Sequence, residues 1–363
     1  MVKIKLISLV FLSFLLAIQT GLGQTANNSI PSYSSPFQYG VNGAYAGPNW
    51  SDQSLAHVAS NAGSNSIRVG LYDSFLEQYG NNVRTSAFNY YTNTLHFSDN
   101  IVFLNGAAND HVDMTTYPGC SKHSMVFKNI YQPIWNTDAN GHKTVNPTNY
   151  FAQYVFNVVS TYGQNIKFYE IWNEPDFTYT GNGYAKKGTP GNWFDNNPAA
   201  ADLTNIQAPV FYYIRMLHIA YEVIKSISPN SMVATGGLGY SSFLDVILRN
   251  TDNPDNGKVT ADYPNTGGAY FDVLSFHSYP FYELAQWSNT LGKMVYTRSS
   301  DGNADRFLID KQSFNTVLSA HQYDGSKFPG KYFICTETNV PSKSNPYNAG
   351  QYGTPELQRN YII

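Results

Sequence analysis

Short apolar runs alternate along the chain with longer segments in which apolar residues recur every three to four positions. The short runs predict β-strands over 38–42, 66–69, 101–105, 168–173, 232–236, 271–277 and 333–337. The periodic segments predict helices over 52–61, 148–162, 208–226, 243–250 and 311–321. Strands that alternate with helices in this way predict parallel βα units and therefore an α/β fold.

The number of predicted strands favours one closed architecture. Seven strands in a single run favour a (β/α)8 TIM barrel over an open doubly wound sheet, which would also alternate. The alternation starts near residue 37, so 37–363 is predicted to be one barrel domain. The segment 355–363 (PELQRNYII) predicts the start of a helix after the seventh strand, and no eighth strand follows it.

We therefore expect a barrel that is truncated after its seventh strand. Two explanations account for that expectation. The sequence could be a fragment of a longer gene product, or the barrel could be open. An open barrel would expose unpaired edges on its first and seventh strands, a liability that natural proteins avoid. The fragment is the favoured explanation.

The N-terminal 36 residues are predicted to lie outside the barrel. Two lysines in MVKIK precede an apolar stretch of 13 residues (6–18) and small residues at Gly21 and Gly23, the pattern of a secretory signal peptide over 1–23. That stretch is too short for a bilayer, which needs about 20 apolar residues. The segment 24–36 is polar and contains Ser and Pro, so it is predicted to be a loose lead-in. The protein is accordingly expected to be secreted, to the periplasm or the medium.

Charge and composition exclude some partners. Removal of Lys3 and Lys5 with the signal peptide changes the formal net charge from −3 to −5, and the chain has no run of Lys or Arg. Nucleic acid and anionic membranes are therefore not expected as partners. Aromatic residues make up 15% of the chain and charged residues only 13%. Such a surface suits a neutral, hydroxyl-rich ligand such as a carbohydrate, although many secreted proteins share this composition.

The two cysteines and the histidines give no sign of a metal site. Cys120 and Cys335 could form one disulfide in an oxidising compartment, but Cys335 lies in a predicted strand, which favours two separate thiols. No CxxC motif and no His-rich cluster with metal-ligand spacing occurs in the sequence. Neither a metal nor an organic cofactor is predicted.

A carboxylic acid stands at the end of the fourth predicted strand. This strand carries Phe168, Ile171 and Trp172 and runs into Asn-Glu-Pro, which places Glu174 at the carboxyl end. Pro175 ends the strand because it has no N–H to donate. Burial between aromatic side chains favours the protonated form of such a carboxyl group and suits a general acid. The alternative is that this acid only belongs to a turn beside a proline.

A second acid occupies the matching position on the seventh predicted strand. The run KYFICTE is another short apolar strand that ends in a carboxylate, that of Glu337. Active sites of βα barrels lie at the carboxyl ends of the strands. Two acids on different strands at that face are the groups that glycoside hydrolysis requires.

These motifs together resemble the retaining glycoside hydrolases of clan A, most closely families 39 and 5. The resemblance rests on GVN at 40–42, Arg68, WNEP at 172–175, FHSYP at 276–280 and CTETN at 335–339. Their order and strand positions correspond from about residue 38 to the C-terminus. The resemblance implies a (β/α)8 barrel that cleaves β-glycosidic bonds of a polysaccharide or oligosaccharide.

Carried over position by position, the resemblance implies that Glu174 is the acid/base and Glu337 the nucleophile of a double displacement. In retaining enzymes the two carboxyl groups lie about 5 to 5.5 Å apart, whereas inverting enzymes need about 6.5 to 9.5 Å. The retaining spacing is therefore expected here. A non-catalytic, glycan-binding barrel relative remains the alternative function.

The resemblance also implies roles for four substrate-site residues. Asn173 would hydrogen-bond the sugar 2-hydroxyl, and His277 would line the same subsite. Arg68 would lie near Glu337 and keep it ionised. Tyr279 would orient that nucleophile.

Structural explanations compete with two of these roles. Arg68 could pair with Glu170 in the barrel interior, although support of the active site is favoured. His277 could be a core residue with satisfied hydrogen bonds, and only its place on the sixth strand favours a functional role. Glu170, four residues before Glu174, is interpreted as structural.

Three other polar residues lie near the predicted site in sequence. Asp176 is interpreted as a loop residue after Pro175. His111 and Asp113 follow the third strand and could reach the cleft, but their direction is not fixed by the sequence.

A long aromatic loop follows the fourth strand and is expected on the active-site face. The segment 181–199 is rich in Gly, Asn and Pro and cannot be a core element. Tyr179, Tyr184, Trp193 and Phe194 could stack on sugar rings or could cover the mouth of the barrel.

Overall fold

The computed structural model describes residues 29–35, 37–43, 51–280, 285–296, 300–340, 342 and 353–362. The predicted signal peptide over 1–23 and the first part of the lead-in lie outside the described residues. Within the described part of the chain, no helix is both long enough and apolar enough to cross a membrane.

Seven parallel strands form one sheet, and they lie side by side in the order in which they occur along the chain. They are β1 (Gly40–Asn42), β2 (Ser66–Gly70), β3 (Ile101–Leu104), β6 (Phe168–Ile171), β7 (Met232–Ala234), β8 (Val273–Ser278) and β11 (Tyr332–Thr338). The order never reverses along the sheet, whereas a doubly wound sheet reverses at its switch point. This confirms the prediction of a (β/α)8-type barrel with seven strands.

Helices connect the strands and cover the outside of the sheet. They are α1 (Asp52–Asn61), α2 (Asp73–Tyr79), α3 (Thr85–Asn89), α4 (Tyr150–Tyr162), α5 (Val210–Ile227), α6 (Ser241–Arg249), α7 (Ser300–Ala320) and α8 (Pro355–Ile362). The predicted helices are confirmed, but the helix predicted over 311–321 begins at Ser300. The short helices α2 and α3 were not predicted, because each has two turns or fewer and shows no clear period.

Two antiparallel hairpins were also missed. They pair β4 (Trp135–Thr137) with β5 (Lys143–Val145) and β9 (Ala285–Ser288) with β10 (Lys293–Tyr296). Both lie in connections that follow the carboxyl ends of barrel strands, after β3 and β8. Insertions at this face build the surroundings of the site.

Helix α4 illustrates how the sequence defines these elements. Its N-cap residue Asn149 accepts a hydrogen bond from the backbone N–H of Ala152 at 3.1 Å. Phe151 and Val155, four residues apart, are fully buried on the same face. Burial of two such side chains contributes roughly 3 to 6 kcal/mol. The amphipathic pattern therefore fixes both the length of the helix and the face that packs on the sheet.

The described part of the predicted lead-in forms no helix or strand, and Tyr33 anchors it to the barrel. The ring of Tyr33 packs edge-on against Phe168 and Tyr332, and its hydroxyl donates to Asp99 Oδ2 at 3.1 Å. Phe168 belongs to a small apolar cluster contributed by neighbouring strands of the sheet. Tyr33 thus packs against the amino-terminal end of the barrel interior.

The first and last strands of the sheet approach each other at their carboxyl ends. Asn42 Nδ2 donates to the backbone carbonyl of Thr336 at 2.9 Å. This side-chain contact brings β1 and β11 together around the face where Glu337 lies. The cysteine prediction is also confirmed, because Cys120 and Cys335 are separate thiols.

Candidate active site

The WNEP segment forms a tight turn with unusual backbone angles. Trp172 has a φ of 75° and Glu174 a φ of 49°, left-handed values that cost energy in residues other than glycine. Hydrogen bonds hold the turn on both sides. The N–H of Glu174 donates to the carbonyl of Gly236 at 2.6 Å, and Asn205 Nδ2 donates to the carbonyl of Glu174 at 3.0 Å. The surrounding structure therefore fixes the direction in which the Glu174 side chain leaves the strand.

Asn205 makes a second contact to the same turn. Its backbone carbonyl accepts a hydrogen bond from the indole N–H of Trp172 at 3.1 Å. Asn205 lies 31 residues after Glu174 in a loop without a recognisable motif. Sequence analysis missed it because no local pattern marks a residue that acts through a long-range backbone contact.

Glu337 reaches the site through an irregularity in β11. The register of β11 against β8 shifts between Cys335 and Glu337, so that Glu337 pairs with His277. Such a bulge changes the direction of the side chains that follow it. Arg68 Nη1 donates to Glu337 Oε1 at 2.8 Å, and the hydroxyl of Tyr279 donates to Oε2 at 2.6 Å. Both oxygens of this carboxylate are therefore held.

These contacts decide the ionisation of Glu337. Burial by itself would raise the pKa of this carboxyl group. The positive charge of His277, the hydrogen bond from Tyr279 and the guanidinium of Arg68 outweigh that effect, so the pKa of Glu337 is lowered. Glu337 is an anion near neutral pH.

Arg68 forms ion pairs with both of the carboxylates that were considered as its partners from the sequence. Its Nε donates to Glu170 Oε2 at 2.6 Å while its Nη1 donates to Glu337. The same guanidinium also donates to Asn42 Oδ1 at 2.9 Å and to Asn173 Oδ1 at 2.6 Å. Arg68 is 4% exposed and Glu170 is fully buried. This interior ion pair orients the side chains of both Asn173 and Glu337.

His277 lies between the two candidate catalytic carboxylates. Its Nδ1 is 2.8 Å from Glu174 Oε1, and its Nε2 is 3.1 Å from Thr336 Oγ1 and 3.7 Å from Glu337 Oε1. Gly237, with a φ of 64°, allows the ring this position. A Cβ on Gly237 would lie 2.2 Å from His277 Nε2. The glycine is therefore required for the close approach of the ring.

The two carboxylates are close together and both reach solvent. One carboxylate oxygen of Glu174 and one of Glu337 lie within 4.8 Å of each other. The side chain of Glu174 is 29% exposed and that of Glu337 is 23% exposed. A sugar ring can therefore contact both groups from the open side of the barrel.

Two clusters of described residues have spacings that a cation could use. Glu174, His277 and Glu337 form one, and Asp73, Glu77 and His111 form the other. In the first cluster the ligand atoms already have protein partners, because Arg68 Nη1 contacts Glu337 Oε1 and His277 Nδ1 contacts Glu174 Oε1. The arrangement is better suited to proton transfer and nucleophilic attack.

Asp176 lies in the turn after Pro175, as predicted, but its side chain is buried. It is 1% exposed, and its Oδ2 accepts hydrogen bonds from the backbone N–H groups of Gly239 and Tyr240 at 2.9 and 2.8 Å. Burial raises its pKa to about 7, the nearby charge of Glu174 adds to this, and the backbone donors oppose it. Asp176 ties the loop after β7 to the Glu174 turn.

The raised pKa of Asp176 predicts a pH-dependent cost in stability. Between about pH 4 and pH 7 the folded protein keeps a proton that the unfolded chain has lost, so the free energy of unfolding falls as the pH rises. We expect Asp176→Asn, which keeps the acceptor oxygen without the charge, to remove this fall. We compare the free energies of unfolding of the variant and the wild type at each pH. This difference should be on the order of 3 kcal/mol more favourable to the variant at pH 8 than at pH 4. Urea unfolding of both proteins across this range measures it, and parallel pH curves would contradict the account.

His111 and Asp113 are turned toward other partners. His111 Nδ1 lies 2.8 Å from Asp73 Oδ2, and its ring stacks on Tyr150. Asp113 accepts hydrogen bonds from Thr115 within its own loop. His111 is therefore connected to helices α2 and α4, and Asp113 to its own loop.

The aromatic residues of the long loop divide between the two roles considered from the sequence. Trp193 is 1% exposed and packs against Tyr240 and Phe243, so it covers the barrel. Tyr179 and Tyr184 are 80% and 66% exposed. Phe194 is partly buried and packs against the core. Of these four residues, the two tyrosines are therefore the ones that expose most of their side chains for stacking on a ligand.

Comparison with known proteins gives similarity only at low identity. No protein-family model matches the chain, and no curated protein matches it. A solved structure of a family 39 glycoside hydrolase from Bacteroides cellulosilyticus WH2 is 13% identical, with 88% of this chain and 60% of that chain covered and a TM-score of 0.40. A glucosidase from Croceicoccus marinus is 11% identical, with coverages of 87% and 54% and a TM-score of 0.46. An endo-1,4-β-mannanase from Eisenia fetida is 12% identical, with coverages of 86% and 82% and a TM-score of 0.42.

The chain spans about 60% and 54% of the lengths of the first two of these proteins. Their names concern glycoside hydrolases, but identities of 11 to 13% and TM-scores below 0.5 transfer no chemistry. The architecture rests on the strand order of this chain, and the chemistry rests on the geometry of its own residues.

Proposed function

We propose that the protein is a secreted retaining glycoside hydrolase that cleaves β-glycosidic bonds of a polysaccharide or oligosaccharide by double displacement. The observation that carries this proposal is the pair Glu174 and Glu337, whose nearest oxygens lie within 4.8 Å. Such close oxygens are compatible with the spacing of about 5 to 5.5 Å between the carboxyl groups of retaining enzymes.

The different surroundings of the two carboxylates support different roles. Glu337 accepts hydrogen bonds on both oxygens and has a lowered pKa, which suits an ionised nucleophile. Glu174 has one oxygen bonded to His277 and a side chain that reaches the open side, which suits proton transfer to a leaving group.

The reaction then follows in two displacements. Glu337 attacks the anomeric carbon while Glu174 protonates the departing glycosidic oxygen, and a glycosyl ester forms on Glu337. Glu174 next removes a proton from water, and the water oxygen displaces Glu337 from the anomeric carbon. The sugar is released with its original configuration.

Three further residues support the substrate and the nucleophile. Asn173 is oriented by Arg68 through its Oδ1, which leaves its Nδ2 to donate to the sugar 2-hydroxyl. Tyr279 holds the second oxygen of Glu337. We also infer from the predicted signal peptide over 1–23 that the enzyme acts outside the cytoplasm on carbohydrate, without a metal or organic cofactor.

Hydrolysis of β-linked substrates tests the proposal. The purified protein should release reducing ends from at least one member of a panel of soluble β-linked polysaccharides and aryl β-glycosides. A protein that carries both Glu174→Gln and Glu337→Gln serves as the control and should release none. Saturable glycan binding without any turnover in the wild type would favour the non-catalytic alternative.

A further inference from the structure

The hydrogen bonds around His277 define where its protons lie. Glu170 is fully buried and forms an ion pair with Arg68 through Oε2. Its Oε1 lies 2.8 Å from Thr336 Oγ1 and 2.6 Å from Ser275 Oγ. The two hydroxyl oxygens also lie 2.8 Å from each other, and either can be the donor of that contact. A carboxylate only accepts hydrogen bonds, so the single hydroxyl proton of Thr336 is committed to Glu170 or to Ser275.

This commitment fixes one proton on the imidazole. His277 Nε2 is 3.1 Å from Thr336 Oγ1, and that oxygen has no proton left to donate toward the ring. The hydrogen of this contact must come from Nε2. The carboxylate of Glu337, 3.7 Å from the same nitrogen, favours the same arrangement. The Nε2–H form of His277 is thus assigned from the hydrogen-bond network.

The other nitrogen faces the candidate acid. His277 Nδ1 and Glu174 Oε1 are 2.8 Å apart, so one proton lies between them. If Glu174 supplied that proton, its acid proton would point to the ring instead of the substrate. If Nδ1 supplies it, Glu174 Oε2 can carry the acid proton; among the contacts of the described residues, that oxygen has no hydrogen bond.

We propose that His277 is held as an imidazolium by Glu174 on one side and by the Thr336–Glu170 pair on the other, and that it acts as a positioning residue for the acid proton. This inference rests on the proposed function, because it assigns a task to Glu174. It makes the ring a permanent donor to Glu174 Oε1, which leaves Oε2 to give up and take back the transferred proton.

A permanent positive charge on His277 also keeps the central ions balanced. In the form that can donate the acid proton, Arg68 and His277 carry two positive charges, Glu170 and Glu337 carry two negative charges, and Glu174 carries the proton that it transfers. When the glycosidic C–O bond breaks, Glu337 becomes a neutral ester and Glu174 becomes an anion, because its proton leaves with the departing oxygen. The net charge of these five groups therefore stays at zero. In the second displacement, water returns a proton to Glu174 and releases the Glu337 carboxylate.

A neutral ring would leave one unbalanced negative charge in both states. Uncompensated charge is costly in a site that excludes most water. Beyond the central ions, the titratable groups of the described residues that face the site are Tyr279, Asp176 and Cys335. Burial raises the pKa of all three, so none of them adds a full negative charge at acidic pH.

Nitrogen-15 NMR of the histidine side chains tests the inference without any need for turnover. The spectrum of His277→Gln identifies the His277 signals among the 8 histidines. At about pH 7.5, where an ordinary histidine is mostly neutral, both nitrogens of His277 should give the shifts of protonated nitrogen. An unprotonated Nδ1 signal would overturn the proposal even if the enzyme is active.

Two variants separate the role of Thr336 from a general effect on Glu170. Thr336→Val removes the acceptor of the Nε2 proton, so the pH at which His277 loses its charge should fall by about one unit. Ser275→Ala removes a hydroxyl group from Glu170 Oε1 and from Thr336 Oγ1 but leaves Thr336 Oγ1 in place to accept the Nε2 proton, so it should shift this pH by less than about 0.3 units. Thr336→Ser should behave as the wild type.

The outcomes distinguish this inference from the function on which it rests. An unchanged His277 titration in Thr336→Val, or equal shifts in Thr336→Val and Ser275→Ala, would overturn the assignment of Thr336. If Thr336→Val does not fold, the wild-type spectrum alone decides. An imidazolium in a protein that hydrolyses no glycoside would contradict the proposed function and leave the charge assignment standing.

Discussion

Replacement of Glu337 by alanine is expected to lower kcat/KM by at least about 10⁴-fold on every substrate, because no other group can form the glycosyl ester. The loss should appear in kcat, since the carboxylate acts on the reacting carbon. Steady-state hydrolysis of an aryl β-glycoside and of a polysaccharide measures it. The variant removes one partner from Arg68, which retains Glu170 and Asn173, so the fold should persist.

A matched control shows that the loss belongs to the site. Glu356→Ala removes an exposed carboxylate from the first turn of α8 and should keep activity within about twofold of the wild type. Residual activity in Glu337→Ala within about tenfold of the wild type, with the same urea unfolding midpoint, would remove Glu337 from the nucleophile role.

Replacement of Glu174 by alanine is expected to divide substrates by their leaving groups. General acid catalysis contributes about 10²- to 10⁴-fold, so glycosides with poor leaving groups should lose this much in kcat/KM. Aryl glycosides whose phenols are strongly acidic leave without protonation, so their kcat/KM should fall by less than about tenfold. The second displacement also needs the base, and glycosyl enzyme should therefore accumulate with these substrates.

A series of aryl β-glycosides with phenols of graded acidity measures this difference. In the variant, log kcat/KM should depend more steeply on phenol acidity than in the wild type. Asn205→Ala offers a comparison in which the carboxyl group remains but its turn loses a hydrogen bond. Equal losses across the whole series in Glu174→Ala would contradict the acid role.

The strand positions and the two carboxylates could be predicted from the sequence because they depend on local patterns. Short apolar runs such as 168–173 define buried strands. Parallel strands of a barrel all end at the same face, so acids at two carboxyl ends are brought together by the topology alone. The contact between Glu174 and Glu337 follows from those two facts.

The residues that sequence analysis missed act through contacts between distant segments. Asn205 supports the Glu174 turn with its side-chain amide and its backbone carbonyl. Gly237 is required because His277 packs where a Cβ would lie. A single sequence does not show which backbone group a distant side chain will contact. It also does not show which glycine will lie where another side chain packs.

Asp176 shows how burial overrides a local pattern. An aspartate after a proline is typical of an exposed turn. Here the loop after β7 folds over it, and two backbone N–H groups take the place of water. Trp193 is a similar case, since a loop rich in Gly and Asn gives no indication that its indole will be buried.

We propose that Glu174 and Glu337 act together as acid/base and nucleophile of a retaining hydrolase. Proton NMR of the anomeric signals in the first minutes of hydrolysis of a β-linked substrate distinguishes retention from inversion. With retention, the β-anomer of the product appears first and the α-anomer grows only later by mutarotation. Initial appearance of the α-anomer would mean inversion and would contradict the assignment of Glu337 as nucleophile.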